Sequence, residues 1–385
     1  MNRSPALCRT IRCAIHVHTR YGRVGKPVAD IVRLAADAGV ECLIITDHNS
    51  VAAADDGWEG RHGGVLVAVG SEIRSGDGFD ILGLGARVRV ASRRLTRDEC
   101  LSLMDRLGMR RFAAHPQGIR SWLTGRRRGR WDPIPERRLL DGLEIWNYMV
   151  DWNATLSPWR LNRMCRTPGA FLRGPEPEIL AAWDALAAEG PMAGIGSQDA
   201  HAIDPGFFAG LIFPAARGGI LPYERGFRDF AHYALVPAAN WGSSDILDIR
   251  AVVDSLAHGN GWFCREDLAC GRGFSFTGIS GDETCAPGGA LPAAPDAKLA
   301  VCVPHAADIR IVRNGTTHME SQGTECRCTA TETGAYRVEC RIDGRMWLVS
   351  NHIHMTGTAG RRDPGTVPPE ESPDASFRPF AAKFA

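Results

Sequence analysis

Short apolar runs alternate with helical periodicity over residues 14 to about 215. Ala14–Val17, Cys42–Thr46, Val65–Gly70, Arg111–Ala114, Leu143–Ile145 and Ala193–Ser197 are too short and too continuous for exposed helices and read as buried strands. Between the first two, Ile31, Leu34, Ala35 and Ala38 follow an i, i+3, i+4, i+7 spacing. The spacing predicts a helix over Val28–Ala38 that stops at Gly39. Strands alternating with helices indicate an α/β fold built from βα units around a parallel sheet or barrel. The rhythm breaks at residues 117–177, rich in Arg, Trp, Pro and Gly, which read as long excursions from the barrel. It resumes with a helix over Asp245–His258 that ends at Gly259.

From about Gly261 the pattern changes to period-two alternation. "KLAVCV", "DIRIVRNG", "AYRVECRIDG" and "MWLVSNHIHM" are half-buried strands, and Asn314-Gly315 and Asp343-Gly344 are hairpin turns. This predicts a barrel over residues 1–260 and a small antiparallel β-sandwich over 261–356. Residues 357–385 are Pro-rich and charged without periodicity, and are expected to be a disordered tail.

The chemistry sits where the predicted strands end. His16 and His18 lie one residue apart at the end of the first run, so regular alternation would point both imidazoles the same way. Two such rings are either an uncomfortable pair of cations or a pair of metal ligands. Asp47 and His48 follow the second run, Glu72 the third, His115 the fourth, and Asp199 and His201 the last. Any one of these is most simply a loop cap or a hydrogen-bonded histidine. Together they recur on one edge of successive strands, the edge where βα folds build sites. Imidazole with carboxylate suits divalent zinc, manganese or iron, and two such ions activate water and clamp a phosphoryl or carbonyl group.

Charge and composition narrow the classes. With 45 basic against 44 acidic residues the net charge is +1, so no bulk field draws the chain to nucleic acid or membrane. No run of 18 apolar residues offers a bilayer span, and the first residues lack a signal-peptide core, so a cytoplasmic protein is expected. The twelve cysteines form no CxxC pair and read as reduced, mostly buried thiols. The second HxH, His352 and His354, lacks downstream carboxylate motifs and reads as strand. His62, His232, His258, His305 and His318 read as loop or helix residues without partners. The run Arg126-Arg127-Arg128-Gly129-Arg130 is a solvated face or steers an anionic substrate or nucleic-acid strand. Trp122, Trp131, Trp146, Trp152 and Trp159 either wall the site or pin the excursion to the barrel.

"HVHT", "LIITDHNS", "GSEI", "AAHP" and "SQDAH", in that order over about Ile11 to Pro214, resemble the motifs of the polymerase and histidinol phosphatase (PHP) family of metal-dependent hydrolases. The C-terminal strands resemble the β domain appended in a branch that includes carbaryl hydrolases. The resemblance implies a distorted (β/α)7 barrel holding two or three divalent ions. His16, His18, Glu72 and Asp199 would hold one, Glu72 and His115 a second, and His48 and His201 a third or a place near the substrate. Asp47 would orient a ligand. His201 or His48 would protonate the leaving oxygen after attack by a metal-bridging hydroxide. Two departures stand out. Gly22-Arg23-Val24 replaces the family's Ser-Asp-Gly, so Arg23 either meets an anionic substrate or lies on an exposed loop. "GLEIWN" offers Glu144 or Asn147 where many members have His or Cys. A phosphoesterase acting on a small-molecule phosphate ester is the leading expectation. An aryl carbamate or carboxylic ester hydrolase, a non-catalytic metal-stabilised module, and an adaptor with the barrel as scaffold are the alternatives.

Overall fold

The computed structural model describes residues 8–23, 25–85, 88–90, 92–120, 127–130, 137–201, 215 and 220–357. The predicted runs become strands at Cys8–Val17, Cys42–Ile45, Val65–Val69, Arg110–Ala113, Gly142–Asn147 and Ala193–Ser197. The architecture is mixed α/β, and the helices form at Val28–Asp37 and Asp245–Ala257, where periodicity placed them.

The expected seven-stranded barrel does not close among the described residues. Two large sheets and a two-stranded ribbon form instead. In the first, Cys8–Val17, Cys42–Ile45 and Val65–Val69 run parallel, with Phe230–Pro237 antiparallel to Cys8–Val17. In the second, Ala193–Ser197, Gly142–Asn147 and Arg110–Ala113 run parallel, and the hairpin Ser71–Arg74/Asp80–Leu84 pairs antiparallel at the edge of Arg110–Ala113. The sheets touch through two isolated bridges, Val17↔Ala200 and His48↔Glu72. An antiparallel hairpin inserted where a parallel βα unit was expected breaks the barrel's regular progression. Each seam falls among candidate site residues.

Parallel strands covered on both faces read as unbroken apolar runs, and this explains the sequence pattern. Ile11, Cys13 and Ile15 face an interior shared with Leu82, Phe112 and Ile195 of the other sheet. Ala14, Val17, Leu43 and Ile45 face the opposite way, onto Val28, Ile31, Val32 and Ala35 of the first helix. Burying a side chain such as Ile31 contributes roughly 1.5–3 kcal/mol. That helix stops where Gly39 takes a left-handed φ of 73°.

The C-terminal strands are not a detached layer in hydrogen bonding. Gly261–Arg265 pairs antiparallel with both Phe230–Pro237 and Arg345–Ser350, so one sheet runs from the N-terminal strand into the C-terminal region. There the long strands Lys298–Arg313 and Thr316–Thr329 pair over most of their length. All twelve cysteines are free. Two expectations are corrected. His62, His232, His305 and His318 lie in strands rather than loops or helices. Several also have partners: His232 Nδ1 accepts from Gly196 N–H, and the His318 ring bonds the Thr329 carbonyl. Trp146 and Trp152 are core residues and Trp159 is 97% exposed, so these three form no wall. Trp122, Trp131, Arg126 and the tail from residue 358 lie outside the described residues. Among the described residues no helix is long and apolar enough to cross a membrane.

Candidate metal centre

The two N-terminal histidines converge, though not by regular alternation. The pairing of Cys8–Val17 with Cys42–Ile45 shifts between Ala14 and Val17, and His16 takes a left-handed φ of 64°. A bulge therefore aims the rings. His115 (φ 30°) and Asp199 (φ 50°) are also left-handed. Each such non-glycine residue costs roughly 1–3 kcal/mol, a strain that characteristically gathers at functional sites.

Four side chains form the centre. His16 Nε2 lies 3.4 Å from Glu72 Oε2 and 3.5 Å from Asp199 Oδ1; His18 Nε2 lies 3.4 Å from each. All four residues are buried, yet His16 Nε2 and His18 Nε2 have no hydrogen-bond partner. Orphaned buried polar atoms are costly. A tetrahedral ion with bonds of about 2.1 Å separates its ligands by about 3.4 Å, so four of the six edges of such a site have the right length. The cluster is capable of holding a divalent metal.

Around it, His115 Nε2 meets the other oxygen of Glu72 at 3.0 Å, and His48 Nδ1 meets Oε2 at 2.7 Å. Glu72 thus faces four imidazoles. His201 Nδ1 lies 3.3 Å from Asp199 Oδ1, and its ring stacks on His18 with centroids 4.0 Å apart. The donor atoms of His18, His48 and His201 lie within 4.8 Å of one another, as do those of His16, His115 and Asp199. The donors of His16, His18 and Glu72 form another such group, and Asp80 joins Glu72 and His115 in a fourth, but Arg74 occupies both Asp80 oxygens at 2.7 Å.

The remaining candidates sit behind these. Glu144 Oε1 accepts from His16 Nδ1–H at 2.8 Å and from the Ser197 hydroxyl. A carboxylate has no hydrogen to give, so this bond fixes the His16 tautomer and leaves the Nε2 lone pair for an ion. Glu144 Oε2 accepts from His115 N–H at 2.6 Å and Asn147 Nδ2 at 2.9 Å, and Asn147 also donates to Asp199 Oδ2 at 3.1 Å. With its oxygens filled by protein donors, Glu144 holds the His16 ring and the His115 backbone in place. Asp47 accepts from Thr19 N–H and Thr19 Oγ1, both at 2.6 Å, and so holds the residue after His18. A Cβ on Gly22 would meet Asp47 Oδ1 at 2.5 Å, so glycine is required for this approach. Gln198 turns away from the centre, accepting from Ile15 N–H and donating to Phe230 O. Arg23 is exposed and lines the open cleft beside His48.

The electrostatics are those of a cation cage. Burial pulls the His16 imidazole down, but Asp199, Glu144 and Glu72 together raise it well above the ordinary value. Burial opposes charge on Glu72 and Asp199, and the surrounding histidines outweigh it and hold both carboxyls low. His115 rises to about 9 because Glu72 overcomes burial, while burial takes His18 down to about 3. Three buried carboxylates demand positive charge, supplied by protonated imidazoles or by ions.

No family model matches the chain. Over 149 residues, 36% of this chain and 82% of the other, it is 27% identical to the uncharacterized protein MJ1587 of Methanocaldococcus jannaschii. Among solved structures it is similar to a two-domain protein of Bacteroides vulgatus containing a predicted PHP-like metal-dependent phosphoesterase. That match has a TM-score of 0.38 and 12% identity, covering 91% of this chain and 97% of the other. PsfC of Pseudomonas syringae matches with a TM-score of 0.37 and 13% identity, over 63% and 89%. Both scores are low, and neither likeness carries weight for fold or activity.

Sequence reasoning missed Ser197 and Asn49. Ser197 stands directly before the "QDAH" motif, and its hydroxyl supports Glu144. Asn49 (φ 49°) follows His48, and its Oδ1 accepts from Ser92 Oγ at 2.7 Å. No local pattern signals either link, because the partners are 53 and 43 residues away.

Proposed function

We propose that the chain is a metal-dependent phosphoesterase of PHP type, with its centre in residues 1–260. His16, His18, Glu72 and Asp199 hold one divalent ion, Glu72 and His115 a second, and His48 and His201 flank the substrate or a third. The observation that carries this reading is the buried set of nitrogen and oxygen atoms spaced 3.4–3.5 Å apart, in which His16 Nε2 and His18 Nε2 have no hydrogen-bond partner.

Bound ions there supply Lewis-acid charge stabilisation and acidify water. The chain's own residues do the rest. Glu144, with Ser197 and Asn147 behind it, keeps His16 in the Nδ1–H tautomer. Asp47 fixes Thr19 and with it the backbone at His18. His48 and His201 are only partly buried, so they can exchange a proton with a leaving group. In hydrolysis a water oxygen bonds to phosphorus and the ester P–O bond breaks; the departing oxygen takes a proton from one of these imidazoles, which recovers it from the proton the water gives up.

The lining of the cleft favours phosphate over a neutral carbamate. Arginines dominate it, and Tyr21 is the one phenyl-type ring among its described residues. The test is a panel of p-nitrophenyl phosphate, its bis ester and naphthyl carbamates, assayed with manganese or zinc. Phosphate ester turnover, lost together with bound metal in His115→Ala, is expected. Carbamate turnover alone, or metal binding without any turnover, would overturn the assignment.

A further inference from the structure

We propose that Tyr223 is a positioning residue: its buried hydroxyl ties His18 to His201, so that a metal ligand and the imidazole beside the substrate keep one register. The claim on His18 needs only the metal centre, and the claim on His201 rests on the phosphoesterase reading. Tyr223 opens the helix Tyr223–Asp229 and is fully buried in an apolar cluster with Ala14, Val17, Leu43 and Phe227. A phenylalanine would fill the same space, and a hydroxyl there costs desolvation unless it is bonded. It donates to the His18 carbonyl at 2.6 Å, lies 3.4 Å from the His201 carbonyl, and is approached by Lys26 N–H at 3.4 Å. One hydroxyl carries one hydrogen, so the short contact holds His18 firmly and His201 takes the weaker share.

The surroundings are built for this bond. His18 N–H donates to Ala200 O at 3.0 Å and Ala200 N–H to His16 O at 3.0 Å, so the two ligand-bearing segments pair through the His18 N–H. Tyr223 takes the His18 carbonyl, and Asp47 holds Thr19, the next residue. The His18 and His201 rings stack with centroids 4.0 Å apart. Gly25 has a left-handed φ of 82°, and a Cβ there would lie 2.0 Å from the Tyr223 hydroxyl and 3.1 Å from His18 O. Glycine alone lets the chain close over the bond. The helix is a braced mount. Arg12 donates to Phe227 O at 2.7 Å, the Asp229 carboxylate accepts from Tyr148 OH at 3.1 Å, and Glu266 N–H donates to Asp229 O at 2.8 Å. Loss of the hydroxyl strands the buried His18 carbonyl, and a shift of that peptide carries the imidazole with it. Packing alone is the rival account of Tyr223, and it predicts that any loosening of this helix acts alike.

The experiment compares the wild type with three variants. Tyr223→Phe keeps the ring and removes only the hydroxyl. Gly25→Ala leaves the tyrosine in place and pushes its hydroxyl aside, and it carries the test if Tyr223→Phe does not fold. Phe227→Leu loosens the same cluster and keeps the hydroxyl. The readouts are manganese affinity by chelator competition, the visible spectrum of the cobalt-loaded protein, thermal unfolding, and kcat and KM for p-nitrophenyl phosphate at saturating metal. Tyr223→Phe and Gly25→Ala are expected to weaken metal affinity by about tenfold or more, to shift the cobalt bands, and to lower kcat by about tenfold with KM little changed. Phe227→Leu is expected to lower the unfolding temperature alone. Most of the kcat loss should vanish when Tyr223→Phe is placed on His201→Ala, because the two act together. Unchanged affinity and spectrum in Tyr223→Phe, or equal losses in Phe227→Leu, would overturn the proposal; a kcat loss that adds in full to that of His201→Ala would overturn the tie to His201. If no phosphate ester is turned over but Tyr223→Phe still loses metal affinity, the positioning of His18 stands and the phosphoesterase reading falls.

Discussion

The chain contains two His-x-His pairs, and they live in opposite worlds. Around His16 and His18 stand Glu72, Asp199 and Glu144, with ring nitrogens left unpartnered. His352, by contrast, meets a single carboxylate, Asp184, at 2.9 Å, and Arg337 already grips both Asp184 oxygens at 2.7 and 2.8 Å. Burial lowers both His352 and His354, the latter to about 4. The motif is the same, but the number of surrounding carboxylates decides whether it is capable of holding a cation or serves as a structural clamp. The first pair sits at the seam between two sheets; the second fastens the helix Pro177–Glu189 to the C-terminal strands.

Substitutions can break this contrast from either side. The largest effect is expected at Glu72, which faces four imidazoles: Glu72→Gln should lose bound metal and about a thousandfold in turnover, read by elemental analysis and phosphate release. Asp184→Asn should leave metal content intact and destabilise the fold by roughly 1.5–3 kcal/mol in urea titrations, because it removes a charged partner of the buried Arg337 and leaves only Glu339. If Asp184→Asn lost metal instead, the two pairs would not be separate. Glu144→Gln should weaken metal affinity by roughly 10–100-fold without abolishing it, measured by competition with a chromophoric chelator.

The smallest effect is acid sensitivity. Burial pushes the Asp184 carboxyl up, but His352 and Arg337 outweigh it and hold it at about 2, against about 3.9 when unfolded. A depressed carboxylate contributes stability above its unfolded value and loses it as pH falls through the folded one. About 2 kcal/mol should therefore vanish between roughly pH 4 and pH 2. In denaturation measured across that window, the slope should flatten in Asp184→Asn; an unchanged slope would place the acid sensitivity elsewhere.

Much of the centre is legible in the chain because its donors fall at the ends of apolar runs: His16, His48, Glu72, His115 and Asp199 all do so. The strand boundaries follow for the same reason, since double-sided burial leaves continuous apolar stretches. The hairpin Ser71–Arg74/Asp80–Leu84 is not legible. Its strands are short, and glycines and charges interrupt them. Phe230–Pro237 is an apolar run whose antiparallel place beside the N-terminal strand comes from pairing more than two hundred residues apart, which no local period encodes. The roles of Glu144, Ser197 and Asn49 are likewise hidden, because each depends on a partner brought close only by the fold. The bulge at His16 shows that a correct convergence was reached by a different backbone path than simple alternation.

Anomalous diffraction from crystals grown with manganese tests the central claim most directly. The account predicts a peak about 2.0–2.3 Å from His16 Nε2, His18 Nε2, Glu72 and Asp199 together. A protein with no peak there, or with its ion bound away from Glu72, would contradict it.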